Sequence, residues 1–395
     1  MNAYPRSAIQ RFAAASFISV LGTDAAGVAF GFYLYQRTHS PIWLSAWWFL
    51  SFGIGGVFTP IGGWLADHLD RQRLLVAVDL CGAVCSASLV VLHAPAIMLG
   101  VSFVAAVVGR GYGPAASAAT PNLAGDQPLE KVNGTMGVAF NAGRLVGPVV
   151  GGAMYALLGR GWVFGLDAVS FAVGAALIAS IHASFRADEE PTGGKEPGVM
   201  AGFRRVFADP SLRALILVWA ALYFAVDVVL VGELPLTRAF GVGAVAFGIL
   251  EAAWGGGSII GSLIGRRLPK RFDAHAILAG ALAVVVGYLV IAISPWFALV
   301  VAGLAFVALC DGAATVAGFA FIQRETPDHV RGRVFAAFST LGMIANAIAF
   351  AIAGFIVEAI GPRGIFVLGA AVAGFAAPFL LPLFRNRRPE SVTAD

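Results

Sequence analysis

Long apolar runs separated by short polar or turn-rich breaks recur from one end of the chain to the other. They fall near residues 9–36, 41–66, 73–92, 95–119, 130–158, 162–183, 210–237, 242–265, 273–293, 296–322, 331–359 and 362–384, with ends expected to hold to within about four residues. Each has about the 20 residues that an α-helix needs to cross a hydrocarbon core of about 30 Å. Breaks as short as His93-Ala94-Pro95 and Ser294-Pro295 predict hairpins of adjacent antiparallel helices. An open sheet is excluded, because lipid offers no partner to its edge groups. The longest polar stretch, 184–209, holds Asp188-Glu189-Glu190-Pro191-Thr192-Gly193-Gly194-Lys195. It reads as a linker between two six-helix bundles, 1–183 and 210–395.

Composition agrees with that pattern. Of 395 residues, 59% are hydrophobic and 12% charged, against roughly 25% charged in soluble domains. So little charge cannot cover a water-facing globule. The first apolar run is longer than the 7–15 residues of a signal-peptide core, so it is expected to be the first span and not a cleaved leader. Cys81, Cys85 and Cys310 all lie inside apolar runs, without disulfide or zinc spacing, and read as small buried residues. The net charge of +4 carries no nucleic-acid signal.

The placement of charge sets the topology. With the N-terminus inside, only Arg37, Arg160, Arg238 and Arg363 fall on outer segments, while Arg110 and Arg144 lie within spans. The remaining Lys and Arg residues, among them Arg6, Arg11, Arg186, Lys195, Arg385, Arg387 and Arg388, fall inside. That asymmetry predicts a multi-pass protein of the cytoplasmic (inner) membrane with both termini cytoplasmic. The halves also look related. Asp24 and Asp227 stand at matching depths in spans one and seven, and Gly161-Trp162-Val163-Phe164 matches Gly364-Ile365-Phe366-Val367. Weak internal repeats of this kind are what transporter folds carry.

Between spans two and three runs Gly62-Gly63-Trp64-Leu65-Ala66-Asp67-His68-Leu69-Asp70-Arg71-Gln72-Arg73. It resembles the signature loop of the major facilitator superfamily, departing from the commonest form at His68 and Asp70. Span five carries Gly143-Arg144-Leu145-Val146-Gly147-Pro148-Val149-Val150-Gly151-Gly152. This is similar to the Gly-Pro motif of exporters in that superfamily, where Pro148 would bend the helix; a plain kink is the other reading. The resemblance covers nearly the whole chain and points to the drug:proton antiporter, siderophore and macrolide exporter branch. It implies an all-α membrane fold of twelve transmembrane helices in two pseudo-symmetric six-helix bundles, the major facilitator fold. It also implies that Asp67, with Gly63, Asp70, Arg71 and Arg73, forms a cytoplasmic latch against Arg331 and Arg333 at the start of span eleven. A solvated charged turn is the plainer alternative. Gly62 and Gly63 are expected to allow close helix approach.

A charge near the bilayer centre costs about 2.5–3.5 kcal/mol on the mildest scale, so each needs a reason. Asp24 lies mid-span one, and Arg110 mid-span four within Gly109-Arg110-Gly111-Tyr112; the latter looks like the superfamily's span-four arginine. The expectation is an Asp24–Arg110 pair that opens when Asp24 takes a proton, with a static ion pair as the other reading. Asp227 and Asp311 are candidate proton or cationic-substrate sites, or polar cavity wall. Arg144 and Glu251 are expected to bridge as a gate element. Glu233 is expected to face water, and Asp79 and Asp167 to be structural. Trp43, Trp47 and Trp48 suggest an interfacial belt. Phe32, Tyr33, Tyr112, Tyr223, Phe224 and Trp254 could line a substrate cavity or pack helices.

No HExxH or Walker A pattern occurs, and the histidines sit at span ends or in loops. An intramembrane enzyme or an ATP-driven pump is therefore disfavoured. The reading is a secondary transporter, not an enzyme, that exports a small, hydrophobic molecule by proton antiport and alternating access. An importer or a carrier of lipid-like substrates is the alternative. The expected partners are the small-molecule substrate, protons and membrane lipids. No nucleic acid, cofactor or metal is expected, and the protein is expected to be a monomer.

Overall fold

The computed structural model describes residues 7–125, 127–183, 185 and 200–385, and these are almost entirely α-helical. Most of the expected linker, together with Arg6, Arg186, Lys195, Arg387 and Arg388, lies outside the described residues. Helix ends follow local chemistry. Span one is Ser7–Thr38. Span two opens at Pro41, with the Ser40 hydroxyl accepting from the Ile42 amide at 3.3 Å. Span three, Arg71–Val91, is capped by Asp70, whose carboxylate accepts from the Arg73 amide at 2.8 Å. Asp70, one of the two residues that depart from the usual signature loop, is thus a helix cap.

Among the described residues nine helices are long and apolar enough to cross a membrane, ten with the bent pair of span two. Two further facts account for twelve. Span five, Leu129–Leu158, has the length but carries Asn141, Arg144 and many glycines. Spans eleven and twelve run together as Asp328–Ala376, turning at Gly361, whose φ of +75 suits a residue without a side chain. The corresponding turn before span six uses Gly159, at φ +85. The arginine after each turn performs the same task. Arg160 Nη1 donates to the carbonyls of Leu89 (2.8 Å) and Leu92 (2.7 Å) at the end of span three. Arg363 Nη1 donates to the carbonyl of Ala292 (2.8 Å) at the end of span nine. The repeat seen faintly in sequence is a shared pattern of helix capping.

Two expected spans and the linker differ in detail. Span two is α-helical over Pro41–Trp48, π-helical over Phe49–Ile54 and α-helical again over Gly55–Val57. It then bends by 49° into Thr59–His68. Span four is broken into Pro95–Gly109 and Tyr112–Ala124. The end of the expected linker forms a helix of its own, Met200–Ala208.

The chain divides into two compact units. The first holds Met1–Gly193, Leu230–Gly255 and Phe350–Pro362; the second holds Gly194–Val229, Gly256–Ala349 and Arg363–Asp395. In the first unit Phe12, Leu75, Leu123 and Ile178 are fully buried in one core. In the second, Leu215, Ile277, Val334 and Leu380 play that part. Asp79 and Asp167 are buried in the first core, and Asp167 accepts from the Ser86 hydroxyl at 2.5 Å. Trp47 and Trp48 pack inward instead of forming a belt: Trp47 lies 4.9 Å from Phe30 and 4.5 Å from Trp48, ring to ring, and donates to Ser102 Oγ at 2.9 Å. The Trp47 ring finds partners on spans one and four, and the Trp48 ring stacks on Phe350, 5.7 Å between centroids. The three cysteines are free.

Candidate functional site

Span five determines the geometry of the first unit. Gly143, Gly147 and Gly151 recur every four residues and so form one face. A β-carbon on Gly147 would stand 2.8 Å from the Leu21 carbonyl and 2.9 Å from Asp24 Cβ, and one on Gly143 3.0 Å from the Phe17 carbonyl. On Gly151 it would strike the backbone of Ala25. Spans one and five therefore touch backbone to backbone. Arg144, Pro148 and Gly152 form the adjoining face, which meets span eight, Ala244–Gly265. Gly152 packs on Ala244, and Gly248 packs on the Pro148 carbonyl. Pro148 has no N–H, so the Arg144 carbonyl loses its helical donor at the same point.

That register fixes which charges meet. Asp24 emerges beside Arg144, with Oδ2 3.9 Å from Nε. Glu251 of span eight is an electrostatic neighbour of both, and Glu233 of span seven is a neighbour of Glu251. One guanidinium thus stands beside two carboxyl groups, with a third next to Glu251. Protein does not seal the ion pair, since the side chains keep 58% (Arg144) and 31% (Asp24) of their exposure. Glu233, expected to face water, is only 5% exposed, because the apolar end of span seven packs inside this unit.

Two expected pairings are corrected. Arg110 does not bond Asp24; it donates to the Ser51 carbonyl and lies 5.6 Å from the Phe52 ring centroid. The π-helical stretch breaks the regular ladder of span two and presents a carbonyl that captures the guanidinium. Arg144 takes Asp24 as its ion-pair partner instead of Glu251, because the Gly147 contact brings span one closer than span eight brings its glutamate.

In the signature loop Gly62 makes the close approach, against the Arg110 carbonyl at the break in span four, whereas Gly63 has nothing within 4 Å. Arg71 donates to the carbonyls of Ala118 (3.0 Å) and Phe185 (3.2 Å), and Gln72 to Ile178 (2.8 Å), so these two fasten the loop to its own bundle. Asp67, Asp70 and Arg73 belong to the first unit; Arg331 and Arg333 belong to the second.

In the second unit Asp227 Oδ2 accepts from Asn346 Nδ2 at 3.0 Å. Tyr223, one turn earlier, rests on Gly342 and is within electrostatic range of both Asp227 and Asp311. Asn346 was not singled out in the sequence, although an amide midway along an apolar span was a usable signal. Of the expected cavity aromatics, Tyr223 is 45% exposed and Trp254 half-buried. Phe32 is buried against Tyr155, with ring centroids 5.2 Å apart, and the Tyr112 hydroxyl is buried beside Asp79 and Ser16. Those two are packing residues, because the faces of spans one and four that carry them turn inward. Among the described residues no cluster of three or more His, Cys, Asp or Glu could hold a metal ion.

Residues 14–394 match the family described as Transmembrane secretion effector. The chain belongs to that family, within the major facilitator superfamily. It is 26% identical to the enterobactin exporter EntS of Escherichia coli O1:K1 / APEC, over 96% of this chain and 94% of that one. It is equally similar, over the same shares, to the protein of that name from Shigella boydii serotype 18. Among solved structures it is similar to a bacterial homolog of the human lysosomal transporter Spinster in an inward-facing, unoccupied conformation. That match has a TM-score of 0.75 and 16% identity, over 97% of this chain and 98% of that one. The nucleoside transporter NupG matches at TM-score 0.76 and 13% identity, over 96% and 99%. These neighbours share the major facilitator fold of this secretion effector, which is a multi-pass membrane transporter and not an enzyme.

Proposed function

We propose that this secretion effector exports a small, hydrophobic molecule in exchange for protons. In this reading the bundles 1–183 and 210–395 rock about a midplane site, joined by 184–209. The observation that carries it is the Asp24–Arg144 pair, held in register by glycines of the span-five Gly-Pro motif, with Glu251 and Glu233 alongside. A mid-span arginine with 58% of its surface open requires a polar path beside it. Four charges of unequal sign within one helix junction can trade a proton for a partner, which is what coupling requires. Similarity to exporters named for enterobactin supports outward transport of a small molecule.

Asp227 and Asp311, near the exposed Tyr223, are the proposed cargo-facing carboxyls of the other bundle. Arg110 holds the π-helical part of span two and acts on coupling through its shape. Asp67 latches against Arg331 and Arg333 when the inner side closes. The protein works as a monomer in the cytoplasmic membrane with both termini inside. Reconstitution in proteoliposomes tests the reading. An imposed pH gradient, acidic on the side opposite to the cargo, should accelerate uptake of fluorescent hydrophobic cargo. Equal rates with and without the gradient would remove proton antiport.

A further inference from the structure

The first unit contains a second polar site, at the helix ends where span one finishes and far along the helices from Asp24. A cavity of about 600 Å³ is lined by Tyr33, Gln36, Arg37, His93, Tyr155 and Arg160, with Gly159 at its edge. Among the described residues no acidic side chain lines it. Arg160 is fixed by its two carbonyl acceptors and lies 4.4 Å from the Tyr33 ring centroid, which makes it a flat cationic plate. Both bonds use Nη1, so the donors on Nε and Nη2 stay available. Arg37 is exposed and forms no ion pair among the described residues. The Tyr155 hydroxyl donates to Gln36 Oε1 at 2.9 Å, which steadies the opposite wall. Span six begins at Arg160 without a side-chain cap, so its first N–H groups add positive potential at the rim. A third arginine, Arg238, stands 5.3 Å from the Phe32 ring, beneath Tyr155.

We propose that this cavity binds a small anion carrying an aromatic ring. Two guanidinium groups without acidic partners supply the charge. The Arg160 plate and the rings of Tyr33 and Tyr155 supply flat surfaces on which a conjugated ring stacks, and the volume exceeds that of a bare phosphate. A carboxylate or phenolate at the ring edge reaches Arg37 while the ring lies against Arg160. If the export reading holds, the cavity is a station that cargo or a competing anion meets on leaving; the binding itself does not depend on that reading.

Titration calorimetry of the purified full-length protein tests the site with benzoate, cyclohexanecarboxylate and inorganic phosphate. Benzoate should bind several-fold more tightly than the saturated ring and more tightly than phosphate. Arg37→Gln, a change at an exposed position, should weaken benzoate about tenfold by removing a charge-assisted bond, and Arg37→Lys should recover part of it. Tyr155→Phe keeps the ring and should alter benzoate binding less than Arg37→Gln does. No binding of benzoate, or binding indifferent to Arg37→Gln, overturns the proposal. So does phosphate binding as tightly as benzoate. Repeating the titration in nanodiscs of phosphatidylglycerol and of phosphatidylcholine separates a lipid headgroup from a free anion. Loss of benzoate binding only in phosphatidylglycerol assigns the cavity to lipid and also overturns it. Cargo transport measured on the same preparation fails or succeeds independently of these results.

Discussion

The two units hold their intramembrane carboxyl groups in different company. In the first, Asp24 faces a guanidinium with two glutamates close by; in the second, Asp227 faces the amide of Asn346 with Asp311 and Tyr223 close by. An arginine cannot surrender its charge, so the first group can change its balance only by moving a proton on or off a carboxyl or by exchanging partners. An amide is indifferent to charge, so the second group leaves room for a cation or a neutral hydrogen-bonding cargo. Pseudo-symmetry in the helices has not produced symmetry in the chemistry. The difference suggests a division between coupling in one unit and cargo contact in the other.

Arg144→Gln should break that division most severely. It leaves Asp24 and Glu251 without a cation, and the initial rate of gradient-driven transport should fall on the order of a hundredfold. The double change Asp24→Arg with Arg144→Asp should restore part of it if the pair itself matters. No recovery in the double variant would place the function of Arg144 elsewhere. Asp227→Asn should reduce cargo affinity roughly tenfold, read as a raised apparent KM, while the response to the pH gradient persists. A lost pH response with unchanged affinity would reverse the assignment of the two units. Asn346→Asp tests the same contact from the other side: a carboxyl facing Asp227 should favour cationic over neutral cargo by a few-fold. Gly147→Ala should lower stability by about 1–3 kcal/mol, because its β-carbon has no room against span one, whereas Gly63→Ala should stay within about 0.5 kcal/mol. Thermal unfolding in detergent measures both. Removing the Asp70 cap by Asp70→Ala should cost about 1 kcal/mol.

The ends of most spans were legible because apolar length, proline and capping residues act locally. Pro41, Pro95, Gly159 and Gly361 each mark a start or a turn that sequence alone can place. The break at Arg110-Gly111 and the π-helical stretch 49–54 were not legible, since hydrophobic patterning records how long a helix is and not how its backbone ladder is spaced. The ion pairs were misjudged for a related reason. Depth in the membrane can be counted along the chain, but the rotational phase that pairs Asp24 with Arg144 comes from the Gly147 contact between two helices. Burial of Glu233 likewise depends on which unit receives the end of span seven.

The interruption in span four also bears on how the protein is made. Its halves have 15 and 13 residues, and at about 1.5 Å per residue neither reaches across about 30 Å of hydrocarbon. Neither would serve alone as a stop signal for the insertion machinery. Only the two together, Pro95–Ala124, are long and apolar enough to cross, and Gly62 packs against the carbonyl at their joint. A bulky residue at that position would therefore threaten biogenesis before it ever touched transport.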